Sequence, residues 1–421
     1  MTSLAGQSWL TDPVTQRVFA LLNAEGGEGR IVGGAVRNAL MGHPISDLDF
    51  ATTNLPQVVI ARAKAAGIKA VPTGIDHGTV TLVVEGRPFE VTTLRRDVET
   101  DGRRATVAFG TDWQVDADRR DFTINALYVT ADGTVIDLVD GLPDIESRSL
   151  RFIGNAETRI AEDYLRVLRF FRFFAWYGNG RPDAEGLKAS ARAKDKLATL
   201  SAERIWAEMK KLLSAPDPSR ALLWMRTSGV LGAVLPESEK WGIDAIHGLV
   251  ATEQALGWTP DPLLRLAAIV PPDVERLAML ARRWRLSNAE AEHLLQWARV
   301  PEPSADLAHT ALDRMLYRDG KSGMIMRLRL SLASARRAAE GSPEAMAKAA
   351  RLSALLARAD AFARPVFPLT GGDVMALGIS AGPRVGQLLQ DLEAFWLERN
   401  FAPDKTALTA RLKDLADKPA D

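Results

Sequence analysis

The sequence predicts an α+β fold, with a mixed head over residues 1–150 and an all-α remainder, and three observations carry that reading. First, short β-type runs separated by turn signals fill the head, in RIVGG, DLDFAT, GTVTLVV, FEVTTLR and TVIDLVD, with helix-like segments such as 55–66 between them. Second, this alternation fades from Glu157 onward, where Ala, Leu, Arg and Glu recur at helical period between Pro216, Pro236, Pro260, Pro301 and Pro365. Third, 421 residues exceed one ordinary core, and at about 100–200 residues per domain the chain holds several. Boundaries are expected near 150 and 215, giving segments 1–150, 151–215 and 216–421.

Composition narrows the function classes. The 53 basic and 53 acidic residues cancel, so any surface for a polyanion must be local. Cysteine is absent, which excludes disulfides, thiolate metal sites and thiol nucleophiles. The five histidines, His43, His77, His247, His293 and His309, form no His-x-x-x-His or His-Asp pair, against a histidine-based metal hydrolase. Residues 1–30 lack the basic start and apolar run of a secretion signal, and no stretch has the roughly 20 apolar residues that span a bilayer. A soluble cytoplasmic protein without a membrane partner is expected.

Taken in chain order, the first chemical signal is Ile31-Val32 followed by Gly33-Gly34 and AVRNAL, which reads as strand, tight turn and helix start. Such a turn leaves backbone N–H groups free to meet phosphate oxygens, and Arg37 adds a permanent charge. Next comes DLDF. Alternate strand residues share a face, so Asp47 and Asp49 point one way while Leu48 and Phe50 enter the core. A solvated strand end is the plainer alternative for such a pair, but two adjacent carboxylates beside a phosphate-type turn suit a hard divalent ion, chiefly Mg²⁺. GTVTLVV and FEVTTLR flank Glu85-Gly86-Arg87-Pro88 as an antiparallel hairpin, and Glu90 in its second strand is placed to add a third carboxylate. A P-loop is disfavoured, because Met315 stands where the first glycine before Gly320-Lys321-Ser322 is needed.

With these residues on the page, IVGGAVRNALMGHPISDLDFAT (31–52), FEVTTLRRD (89–97), RRDFTINAL (119–127) and EDYLRVLRFFRF (162–173) resemble the ordered motifs of class II tRNA nucleotidyltransferases, CCA-adding enzymes of the polymerase β superfamily. SAERIWAEMKKLL (201–213) resembles the following helix of that family. The resemblance implies a polymerase-β-type nucleotidyltransferase head with a small mixed sheet, then a helical neck that selects the nucleotide, and a helical body and tail that bind tRNA. It assigns Asp47 and Asp49 to metal, Glu90 to the third carboxylate, and Gly34, Arg37, Arg120 and Asp121 to the nucleotide, with Arg119 structural. Asn38 departs from the aspartate common in the family. CTP and ATP are the implied substrates and tRNA the implied partner, with no DNA.

Asp163, Arg166, Arg169 and Arg172 recur every third residue and are expected as a row on one helix. A solvated, internally paired charged face is the plainer reading of such a row. In the company of the other motifs, Asp163 accepting from an amino group and Arg166 donating to an unprotonated ring nitrogen would fit cytosine or adenine and leave both groups unpaired against uracil or guanine. Arg169 and Arg172 would meet the triphosphate, as in the family. The polar segment 100–121 resembles the family's mobile loop that reshapes the pocket for A addition. Residues 151–213 hold thirteen Lys/Arg and eight Asp/Glu, a local excess that suits an RNA backbone. Phe170, Phe171, Phe173, Phe174, Trp176 and Tyr177, and likewise Trp284, Trp297 and Trp396, are expected in helix-packing core.

Two alternatives stay open. Bacterial poly(A) polymerases share these motifs but typically carry a basic, histidine-containing segment after the Asp-x-Asp strand, where this chain has VPTGIDHGTVTLVV (71–84). A non-catalytic RNA-binding relative is the other, disfavoured by the clustered carboxylates.

Overall fold

The computed structural model describes residues 2–101, 104–239, 243–339 and 342–416, and only the backbone over 97–107 where it is described. Two compact units divide the chain, one up to Glu239 and one from residue 240. The first contains a seven-stranded mixed sheet built from β1 (Gly29–Val32), β2 (Asp49–Thr52), β3 (Lys69–Gly74), β4 (Thr79–Val84), β5 (Arg87–Thr93), β8 (Leu127–Val129) and β9 (Val135–Asp137). Its order is β3-β4-β5-β2-β1-β8-β9. A separate two-stranded ribbon pairs β6 (Arg95–Asp101) with β7 (Arg104–Phe109). No strand follows Asp137 among the described residues, in line with the helical remainder the sequence predicts.

Local chemistry accounts for the strands around the site. β4 alternates half-buried and buried side chains along its length, and it pairs with β5 through Glu85-Gly86. Both turn residues have positive φ, 50° and 79°, the backbone twist that a two-residue hairpin requires. Phe50 of β2 packs edge-on against Phe89 of β5 and against Phe19 of the Pro13–Leu22 helix, with centroids 6.1 and 4.9 Å apart. Burying each such ring contributes about 1.5–3 kcal/mol, so this trio fixes how the helix seats on the β2–β5 pair. That pair is parallel, and its register sets Asp49 opposite Glu90.

Beyond the sheet, the Leu165–Tyr177 helix buries Leu165, Val167, Leu168, Phe170, Phe171, Phe173 and Phe174. Trp176 donates its indole N–H to Lys211 O in the adjoining Ala202–Leu213 helix (2.8 Å). In the second unit Trp284, Trp297 and Trp396 are buried, as expected. Glu253 and Arg265 form a fully buried ion pair there (2.7 Å). No helix among the described residues is long and apolar enough to cross a membrane.

Two expectations need correction. Asp163 is not on the helix with the arginines: it sits with extended backbone (φ −154°, ψ 107°) between the Ala156–Glu162 and Leu165–Tyr177 helices. Its carboxylate accepts the Leu165 N–H (3.1 Å), a local bond that competes with continuing the helix. Asp47 precedes β2, which starts at Asp49, although exposure still alternates over 47–50 as a strand would have it. The segment 100–121, expected to resemble the family's pocket-reshaping loop, is built partly from regular elements. It includes β7 and the Trp113–Asp118 helix, capped by Asp112; residues 102 and 103 lie outside the described residues.

Candidate functional site

Asp49 and Glu90 emerge side by side from β2 and β5 into one cavity of about 610 Å³. Burial raises the Asp49 carboxyl above its ordinary value, and neighbouring Glu90 and Asp47 raise it further, against Arg120. Asp47 is thus within electrostatic reach, but it does not line the cavity, and Ser46 Oγ donates to its Oδ2 (2.9 Å). Among the described residues no three His, Asp or Glu side chains stand close enough to enclose a metal ion. What is present is a carboxylate pair with hard oxygen donors, the number from which Mg²⁺ is usually held when substrate phosphates supply the rest.

The glycine turn lies beside this pair. Gly33 adopts φ 75°, ψ −117°, which only glycine takes without strain, and Gly34 opens a helix that ends at Met41. Arg37, one turn on, is buried at 7% exposure. Its guanidinium donates to Asn38 Oδ1 (2.9 and 3.1 Å), Asn125 Oδ1 and the Tyr177 hydroxyl oxygen (2.8 Å). Burial pulls its pKa down, partly offset by Tyr177. None of these three partners is a carboxylate. Asn38 also donates to Pro44 O (2.8 Å), so it orients Arg37 without cancelling its charge.

The segment 116–125 forms a second charged layer. Asp116, 1% exposed, accepts from Arg119 (2.6 and 2.9 Å), Arg120 (2.9 and 3.2 Å) and the Tyr128 hydroxyl (2.9 Å). Burial works to raise its carboxyl, but the two guanidiniums and the hydroxyl hold it below its ordinary value. Asp121 is opposed by burial in the same way and held low by Arg169, Asn125 and the Phe122 N–H.

Opposite stands the arginine row. Arg169 pairs with Asp121 and Arg172 with Glu208. Arg166 Nη1 donates to Arg159 O (2.8 Å) and to Glu162, and Nη2 reaches Arg119 O at 3.4 Å. Its Nε–H bonds no described residue. Asp163 Oδ2 accepts from Arg204 Nη2 (2.6 Å).

All the predicted site residues except Asp47 line this one cavity: Gly34, Arg37, Asp49, Glu90, Arg120, Asp121, Asp163, Arg166, Arg169 and Arg172. Eight arginines and four carboxylates border it, an excess of positive charge suited to a triphosphate. Sequence reasoning missed Arg95, Asn125 and Arg204, and it missed Asp116 as the anchor of Arg119 and Arg120. Arg204 lies in SAERIWAEMKKLL and carried a usable signal, because it is the only arginine of that helix. Of the neck aromatics, Phe170, Phe171 and Phe174 are core, whereas Phe173, also buried, lines the cavity.

Comparison with known proteins yields concordant results. The family described as "Poly A polymerase head domain" matches residues 29–151, and that described as "Probable RNA and SrmB- binding site of polymerase A" matches 182–241. The mitochondrial CCA tRNA nucleotidyltransferase 1 of Mus musculus is 35% identical over 405 residues, covering 93% of this chain and 88% of that protein. The CCA-adding enzyme of Streptococcus sanguinis is 32% identical, with 94% and 96% covered. Among solved structures, the Bacillus stearothermophilus CCA-adding enzyme in complex with CTP superposes with a TM-score of 0.71 at 28% identity, over 96% of this chain and 97% of that one.

Proposed function

Because the chain belongs to the family of CCA-adding tRNA nucleotidyltransferases, we propose that its arginine-lined cavity takes CTP and ATP and adds their nucleotides to a tRNA 3′ end without a nucleic-acid template. CCA addition is the activity of this family, and poly(A) addition is not favoured, since the relatives similar over nearly the whole chain are CCA-adding enzymes. The carrying observation is that Asp49 and Glu90 share a cavity with Asp163, Arg166, Arg169 and Arg172.

Within it, Asp49 and Glu90 would hold Mg²⁺, with Asp47, whose charge reaches Asp49, as the further carboxylate. When bound, Mg²⁺ makes the RNA 3′-hydroxyl a better nucleophile and stabilises the leaving pyrophosphate. The protein residues position the reactants. Gly33-Gly34 and Arg37 receive phosphate oxygens, since the turn lets the backbone approach and Arg37 keeps its charge. Arg169 and Arg172 flank the triphosphate from the other side. Asp163, already oriented by Arg204 and the Leu165 N–H, keeps lone pairs free to accept from the amino group of cytosine or adenine. Arg166 has its Nε–H free to donate to the ring nitrogen. Against uracil or guanine both would face a group of the wrong polarity, a mismatch that discriminates by about 10⁴-fold in a desolvated site. Head 1–150, neck 151–215 and body and tail 216–421 divide the labour as catalysis, selection and tRNA grip.

Incubating the protein with tRNA lacking its end and with a generic RNA, first with ATP alone and then with ATP plus CTP, tests this reading. Completion of CCA on tRNA alone is the expected result, and long A tails on generic RNA would overturn it.

A further inference from the structure

Phe173 stands where the cationic parts of the cavity meet. Its ring is 5% exposed and rests on Phe122, centroids 5.2 Å apart. Three guanidinium carbons approach that one ring, from Arg172 at 4.1 Å, Arg37 at 5.2 Å and Arg169 at 5.3 Å; Arg37 lies closer to Tyr177, at 4.1 Å, but Phe173 is the ring near all three. Arg169 and Arg172 share its helix, but Arg37 comes from the helix behind the glycine turn. Two carboxylates, Asp121 and Glu208, serve these three cations, so one charge is uncompensated. Arg37 and Arg172 both have lowered pKa values, through burial first and then, opposed by their hydrogen-bond partners, through a neighbouring arginine.

Three like charges held this close repel one another, and Asp121, Glu208 and the neutral partners of Arg37 offset that repulsion only in part. An aliphatic side chain would fill the same space without attracting a cation, whereas an aromatic face does so through its quadrupole. We propose that Phe173 is a positioning residue, gathering Arg37, Arg169 and Arg172 into one preassembled cradle for the triphosphate of the incoming nucleotide and for the pyrophosphate that leaves. The inference rests on the reading of this cavity as the nucleotide site. Phe173 acts through the arginines and takes no part in base choice, which belongs to Asp163 and Arg166. Loss of the ring therefore weakens CTP and ATP equally and leaves rejection of UTP and GTP intact.

The test compares Phe173→Leu and Phe173→Tyr in the full-length protein, measuring kcat and KM for CTP and ATP on tRNA lacking its terminal nucleotides, with inhibition by inorganic pyrophosphate. In Phe173→Leu, KM for both nucleotides rises about fivefold to tenfold with kcat within about twofold of wild type, and pyrophosphate inhibits more weakly by a similar factor. Phe173→Tyr keeps the ring and stays close to wild type. Should Phe173→Leu fail to fold, Phe173→Met removes the ring with a more adaptable side chain. A double-mutant cycle with Arg172→Lys checks the route, since a ring acting through that guanidinium gives non-additive losses. Unchanged KM in a folded ring-less variant, Phe173→Tyr as impaired as Phe173→Leu, or additive losses would each overturn the proposal. Wild-type protein that incorporates neither nucleotide would instead sink the nucleotidyltransferase reading.

Discussion

Asp49 and Glu90 face each other across the parallel β2–β5 pair, each the first acidic residue its strand offers to the cavity. Burial raises the Asp49 carboxyl above its ordinary value, and the like charge of Glu90 beside it raises it further, which favours a bound cation there. Asp49→Ala is therefore expected to lower nucleotide incorporation by roughly 10³-fold or more, the scale of losing a group that stabilises transition-state charge, while gel-shift binding of tRNA persists. In metal-free protein at neutral pH the folded state holds Asp49 ionised at a cost. Asp49→Asn should then raise the thermal midpoint and reduce the further rise that Mg²⁺ gives the wild type.

Asp116 is expected to matter for stability more than its silent position in the sequence suggests. Asp116→Ala leaves Arg119 and Arg120 without their carboxylate, and breaking a buried pair in this way costs about 3–5 kcal/mol, measurable by urea denaturation. The pH dependence has a definite sign. A folded pKa below the unfolded one stabilises at pH values above the ordinary carboxylate range, and that stability drains away as pH falls through the lowered folded value. Asp116→Ala should accordingly flatten the acid limb of the stability profile below about pH 4.

Base choice is expected to fail when the edge-reading pair is altered. Asp163→Ala should relax rejection of UTP and GTP by about 10²-fold or more in kcat/KM ratios, measured by competing nucleotides on one tRNA. Retained selectivity in a folded Asp163→Ala protein would remove Asp163 and Arg166 from that role.

Gly33 offers a backbone test. Its φ of 75° is strained for any L side chain, yet a Cβ there meets only Asn125 O at an ordinary 3.5 Å. Gly33→Ala should therefore cost about 1–3 kcal/mol from strain alone, with a raised KM for both nucleotides as the turn shifts.

Much of this arrangement was legible beforehand because it is local. Period-two burial marked β4 and β5, Glu85-Gly86 marked their turn, and the glycine pair marked the strand-to-helix junction. The break at Asp163 was hidden, since spacing by threes looks helical and nothing in the spacing tells whether a carboxylate caps its own backbone. Asp116 was hidden because its partners Arg119, Arg120 and Tyr128 converge only when the 113–118 helix docks on β8.

The sequence by itself determined which chemical groups are available and which segments carry them, since residue type and period follow from covalent structure and backbone sterics. Tertiary structure decided what those groups face. The β2–β5 pairing set Asp49 against Glu90, and packing of the Leu165–Tyr177 helix brought Arg37 to the ring of Phe173. Such encounters join residues far apart in the chain, and the energy that selects them is burial shared by many side chains, which no local pattern records.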